Sequence, residues 1–92
     1  MAIGIYSHPL SMTAQRYEEI NKALEAAGAG APEGRLYHVC FGSGDSLQIF
    51  DVFDSHESLN RFVESLTPIL RKFGVDPGMP VIEPVHNIIV GS

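Results

Sequence analysis

GRLYHVCFGSGDSLQIFDVFDS, residues 34–55, reads as two β-strands folded back on each other around a Gly-Ser-Gly turn. Gly42, Gly44 and Asp45 are the residue types that a tight hairpin needs. Side chains alternate across a strand. With the turn centred on Ser43-Gly44, one face carries Tyr37, Val39, Phe41, Gln48, Phe50 and Val52. The other carries Leu36, His38, Cys40, Leu47, Ile49, Asp51 and Phe53. In this register His38 faces Ile49, and Asp51 is its diagonal neighbour at roughly 7–8 Å between backbones. A slip of one residue would send the two polar groups to opposite faces.

The flanking segments complete the topology. AIGIYS (2–7) is a short apolar strand that Pro9 stops. Ser11 and Thr13 are both suitable N-caps for a helix running to about Ala27, in which Tyr17, Ile20, Leu24 and Ala27 share a face. Gly28 is a C-terminal stop, and 27–34 is a loop. After the hairpin, Ser55 caps a second helix whose apolar stripe is Leu59, Phe62, Val63, Leu66, Leu70 and Phe73. Thr67-Pro68 inside it predicts a kink or restart. Gly74 ends this helix, 75–80 is a loop, and VIEPVHNIIV (81–90) is a last strand that Pro84 confines to a sheet edge or a bulge. The order strand-helix-strand-strand-helix-strand predicts an α+β, ferredoxin-like βαββαβ fold in a single domain over 1–92. Its four-stranded antiparallel sheet has spatial order fourth, first, third, second.

Both faces of the hairpin are largely apolar, whereas an antiparallel sheet with one wet face alternates apolar with polar. Two helices cover one face only. A second copy of the same sheet is the simplest cover for the other, which predicts a homodimer.

The composition narrows the function. The chain has 92 residues, 45% of them hydrophobic, and a net charge of −5 with six basic residues. No basic stripe is present, so nucleic acid and anionic membrane are not expected partners. No apolar run reaches the ~18 residues of a spanning helix. The N-terminus lacks the pattern of a signal peptide, and a single cysteine, Cys40, fits a reducing, cytoplasmic location and a buried, inert thiol. No nucleotide or flavin fingerprint occurs, and no cofactor is expected.

GRLYHV (34–39), LQIFDVFDS (47–55), the spacing of FVESLTPIL (62–70) and EPVHNIIVG (83–91) resemble the antibiotic-biosynthesis-monooxygenase-like proteins of the dimeric α/β-barrel superfamily, in an uncharacterised bacterial branch. The resemblance spans nearly the whole chain. It implies a dimeric barrel, a small aromatic or hydroxylated organic ligand, and a cofactor-independent monooxygenase-like or isomerase-like reaction. Haem degradation in this superfamily uses a tryptophan, and this chain has none.

His38 and Asp51 are the candidate catalytic pair: a histidine that takes a proton from a substrate hydroxyl and a carboxylate that fixes its tautomer. Each equally fits a structural role, His38 bonded to a backbone carbonyl or spanning the dimer interface, Asp51 bonded to Arg35, Tyr37 or a backbone amide. His86 and Asn87 are candidate ligand contacts, because the resemblance implies that the last strand reaches the partner. Tyr37, Phe53 and Phe62 are candidate pocket walls. Tyr6 and Tyr17 suit either a pocket or a core. His38, Asp51 and His86 have ligand chemistry for zinc or iron but no ligand spacing, so no metal is expected. The competing function is a non-catalytic ligand-binding or dimerisation module. A cavity of roughly 300 Å³ or more with His38 at its edge favours the ligand site over the module.

Overall fold

The computed structural model describes residues 1–91. Its elements are β1 (Ile3–Ser7), α1 (Ala14–Ala26), β2 (Arg35–Phe41), β3 (Gln48–Phe53), α2 (His56–Lys72) and β4 (Val81–Pro84). The sheet is antiparallel throughout, with order β2-β3-β1-β4. This is the ferredoxin-like arrangement expected from the sequence, with the proline-bearing strand at an edge.

Local chemistry sets the helix ends. Of the two possible caps for α1, Thr13 serves: its Oγ1 accepts the Arg16 N–H at 3.1 Å. Ser55 does the same for α2, accepting the Ser58 N–H at 3.2 Å. Both satisfy a donor that the first turn leaves without an intrahelical partner. Both helices lie on one face of the sheet. Ile20, Leu24, Leu59, Phe62 and Leu70 pack there against Ile3, Ile5 and Phe53. Phe53 is completely buried, its ring centroid 5.7 Å from that of Phe62.

Three expectations are corrected. The hairpin turns one residue later than Ser43-Gly44: Phe41 pairs with Gln48, Cys40 with Ile49, and His38 directly with Asp51. The pairing moves by two residues, so both residues keep their face and become direct cross-strand neighbours. Second, of the kink or restart expected at Pro68 the restart is absent: α2 runs unbroken through it. Thr67 is not a cap; its Oγ1–H donates to the Val63 carbonyl at 2.9 Å. Pro68 and Glu64 are both exposed, so water can satisfy the carbonyl that the missing proline N–H leaves free. Third, the last strand stops at Pro84 rather than continuing to 90. The Val85 N–H donates to the Ala2 carbonyl at 2.9 Å, and residues 85–91 leave the ladder.

A bulge lies between Arg35 and Tyr37 on β2, where Arg35 pairs with Phe53 and Tyr37 with Val52. Leu36 is the extra residue, and it is exposed. An uninterrupted strand would put Arg35 on the same face as Tyr37. The bulge instead turns Arg35 to the helix-covered face, beside His38.

Candidate functional site

Asp51 sits in the middle of β3 on the helix-covered side, and His38 is directly opposite it on β2. Their side chains meet at 2.5 Å, Nδ1 to Oδ1. The other ring nitrogen of His38, Nε2, lies 2.6 Å from the hydroxyl of Tyr17. An ionised carboxylate can only accept, so Nδ1 carries the imidazole proton and donates it to Asp51. In the neutral ring Nε2 then accepts from the Tyr17 O–H. The result is a continuous chain, Tyr17–His38–Asp51, from α1 across β2 to β3. Tyr17 and His38 hold nearly parallel ring planes, 3° apart.

Tyr17 reaches this position because it belongs to the buried stripe of α1, one turn before Ile20 and two before Leu24. That spacing identifies it as sheet-facing but does not distinguish a core phenol from one hydrogen-bonded to a histidine. The chain is partly open: the His38 side chain is 24% exposed and that of Asp51 14%.

The three residues line a chamber of about 90 Å³ between helices and sheet, whose other walls include Ile20, Leu24, Ile49, Phe62, Leu66 and Leu70. Tyr17, Asn21, Arg35 and His38 also line an adjoining, more polar basin of about 160 Å³, with Glu25 and Gly30 at its rim. The chamber is smaller than the cavity the sequence argument asked for.

The remaining sequence candidates lie apart from this chain. Phe62 is a chamber wall, while Phe53 lies beneath it in the closed core. Tyr37 is on the helix-free face, where it borders a gap of about 410 Å³ together with Phe50, Val52 and the 85–91 segment, Asn87 included. His86 and Asn87 are exposed after β4 and border a second depression on that face with Gly4 and Tyr6. The Tyr6 hydroxyl donates to Oε1 of Gln48, also on that face. No group of three or more His, Cys, Asp or Glu among the described residues could hold a metal ion. Burial raises the Cys40 thiol above its ordinary range, which keeps it protonated and unreactive at neutral pH. No helix among the described residues is long and apolar enough to cross a membrane.

No family model matches the chain, and no curated protein matches it in sequence. Solved structures do. SnoaB from Streptomyces nogalater, a cofactor-independent oxygenase, superposes with a TM-score of 0.69 at 12% identity over 96% of each chain. A protein assigned as an antibiotic biosynthesis monooxygenase from Chloroflexus aurantiacus gives 0.65 at 20% identity, over 99% of this chain and 100% of that one. A similarly assigned protein from Deinococcus radiodurans gives 0.62 at 14%, over 100% and 99%. Along nearly its whole length, then, the chain has the ferredoxin-like fold of the antibiotic-biosynthesis-monooxygenase-like proteins, the group that its sequence resembles.

Proposed function

We propose that this protein is a homodimer in which each subunit uses the Tyr17–His38–Asp51 chain for proton transfer to and from a small hydroxylated aromatic molecule. The observation that carries this reading is that both ring nitrogens of one histidine are engaged, by a carboxylate and by a phenol, at the wall of an apolar chamber. A carboxylate behind a histidine stabilises the imidazolium that forms when the ring takes a proton. A substrate hydroxyl gives its proton to the Tyr17 oxygen while the Tyr17 proton passes to Nε2. The substrate is left as an electron-rich anion. With dioxygen as the oxidant, a methylene of such an anion becomes a carbonyl, and the second oxygen atom leaves as water. Without oxygen, return of the proton to a carbon of the substrate is an isomerisation. The apolar walls keep bulk water from the anion.

The dimer is proposed from the helix-free face. Tyr37, Phe41, Val81, Ile88, Ile89 and Val90 are all exposed, Ile89 to 87% and Val90 to 85%. The 85–91 segment leaves the gap beneath it unfilled. A second sheet packed here removes that apolar surface from water. Light scattering at micromolar concentration tests it, and a clean 10 kDa species overturns it.

The chemistry is tested by oxygen uptake and product analysis with a panel of quinols and anthrones. Turnover that His38→Ala abolishes in a folded protein supports it, and turnover indifferent to His38 removes the histidine from the mechanism. The small chamber volume favours the second reading, a non-catalytic dimerisation module. In that case the panel neither turns over nor binds.

A further inference from the structure

Among the described residues Arg35 is a cation without a counter-ion. It is half-buried. The bulge at Leu36 points it into the helix-covered side. Its guanidinium lies 5.8 Å from the centre of the Phe62 ring, and one Nη donates to the Gly30 carbonyl at 3.2 Å. A guanidinium carries five N–H donors in a planar fork that matches a carboxylate. One of them is occupied here. Two acidic groups border the same space. Asp51 is committed to His38, and Glu25 is exposed at the outer rim; neither is within ion-pair distance of Arg35.

Position gives the cation its significance. Arg35 is one of the four residues that line both the apolar chamber and the polar basin. The other three are Tyr17, His38 and Asn21. A molecule that spans the two spaces meets the proton-transfer chain and the arginine together. The cation–π contact with Phe62 and the bond to Gly30 restrict the fork before a ligand arrives, so less side-chain freedom is lost on binding. A half-buried cation that lacks a counter-ion is costly, and an anionic ligand removes that cost.

We propose that the ligand is a small monoanionic acid: a carboxylate held by Arg35 in the basin, attached to an aromatic or other apolar group in the chamber. The proposal rests on reading the chamber and basin as a ligand site. It adds the charge of the ligand and assigns Arg35 as the residue that selects it.

The test compares 4-hydroxybenzoate with 4-hydroxybenzamide, which match in shape and in phenol and differ in charge. Binding is measured by titration calorimetry at low salt, with the ¹⁵N resonances of the His38 ring followed in parallel. The acid is expected to bind at least about tenfold more tightly than the amide. Arg35→Gln is expected to abolish that difference, and Arg35→Lys to retain part of it. Equal affinities in the native protein overturn the proposal, as does a preference that survives in Arg35→Gln. If Arg35→Gln does not fold, the native comparison and Arg35→Lys still decide. An amide that binds as well as the acid and shifts the His38 resonances overturns the anion assignment alone. An Arg35-dependent acid that leaves those resonances unmoved supports the anion site and overturns proton transfer. Absence of binding by both compounds at millimolar concentration overturns both.

Discussion

The hydroxyl of Tyr17 lies 2.6 Å from Nε2 of His38, so the nitrogen that a substrate would have to reach is already occupied by a phenol. Either the substrate displaces Tyr17, or the proton passes through it. The two routes differ in what Tyr17→Phe does. If Tyr17 relays the proton, the variant loses the group that meets the substrate, and turnover of an accepted quinol or anthrone falls by about 10²-fold or more. If Tyr17 only plugs Nε2, its removal leaves turnover unchanged or raises it. We expect the loss, with the thermal midpoint little altered, because phenylalanine keeps the ring that packs beside Ile20 and His38. Steady-state oxygen uptake and a melting curve measure both.

Asp51 determines which ring nitrogen of His38 carries the proton. A carboxylate accepts only, whereas an amide can also donate. In Asp51→Asn the amide NH₂ can turn to Nδ1 and drive the ring proton to Nε2. His38 would then donate to the Tyr17 oxygen instead of accepting from it. We expect the ¹⁵N chemical shifts of the two ring nitrogens to exchange character and turnover to fall by about 10²–10⁴-fold. An unchanged tautomer in a folded Asp51→Asn protein contradicts the direction of the hydrogen-bond chain.

Much of this site is legible in the chain, and its limits have physical causes. His38 and Asp51 stand out because an otherwise apolar hairpin tolerates a polar pair only for a reason, and alternation places them on one face whichever of the two registers holds. The direct pairing was not legible, since it depends on a loop one residue later than the glycines suggest. Tyr17 is visible as a sheet-facing position, but the α1 stripe reads the same with or without a histidine opposite. Arg35 is legible only as one possible partner for Asp51, a place that His38 takes; strict alternation puts Arg35 on the opposite face, and the bulge at Leu36 brings it round. Pro68 misled because proline breaks helices from within, yet the Glu64 residue whose carbonyl it frees is exposed to water.

The approach to the bulge depends on Gly34. Its φ of +90° is unfavourable for residues with a side chain. A Cβ built there would lie 2.3 Å from Ser58 Oγ and 2.5 Å from Ser58 Cβ. The Gly34 carbonyl also accepts the Asp54 N–H at 2.8 Å, tying β2 to the start of α2. Gly34→Ala is therefore expected to destabilise the protein by about 1–3 kcal/mol from backbone strain alone, with the steric clash adding to it. Denaturant unfolding measures the loss. A Gly34→Ala protein as stable as the native one would show that the turn relaxes at no cost. Because Arg35 follows directly, the same variant should also weaken binding of an acid in the basin.

Asp54 gives the fold a dependence on acid. The Ser58 hydroxyl donates to its Oδ1 at 2.6 Å and holds the carboxyl below its usual range. A small desolvation opposes this shift, while the Ser55 hydroxyl and the charge of Arg61 support it. A carboxyl whose folded pKa is depressed binds its proton more readily in the unfolded chain. Its stabilisation is then complete above the unfolded value of about 3.9 and is lost as pH falls through the lower folded value. Asp54→Asn retains an acceptor for Ser58 but removes the charge. The native protein is expected to melt above this variant by a constant margin from neutrality to about pH 5. The margin should shrink below about pH 4 and close at still lower pH, once Asp54 is protonated in the folded state as well. Thermal melts of both proteins across that range measure it. A margin that persists unchanged into strong acid would mean that Asp54 acts through its shape and hydrogen bonds, and that its charge contributes nothing to the start of α2.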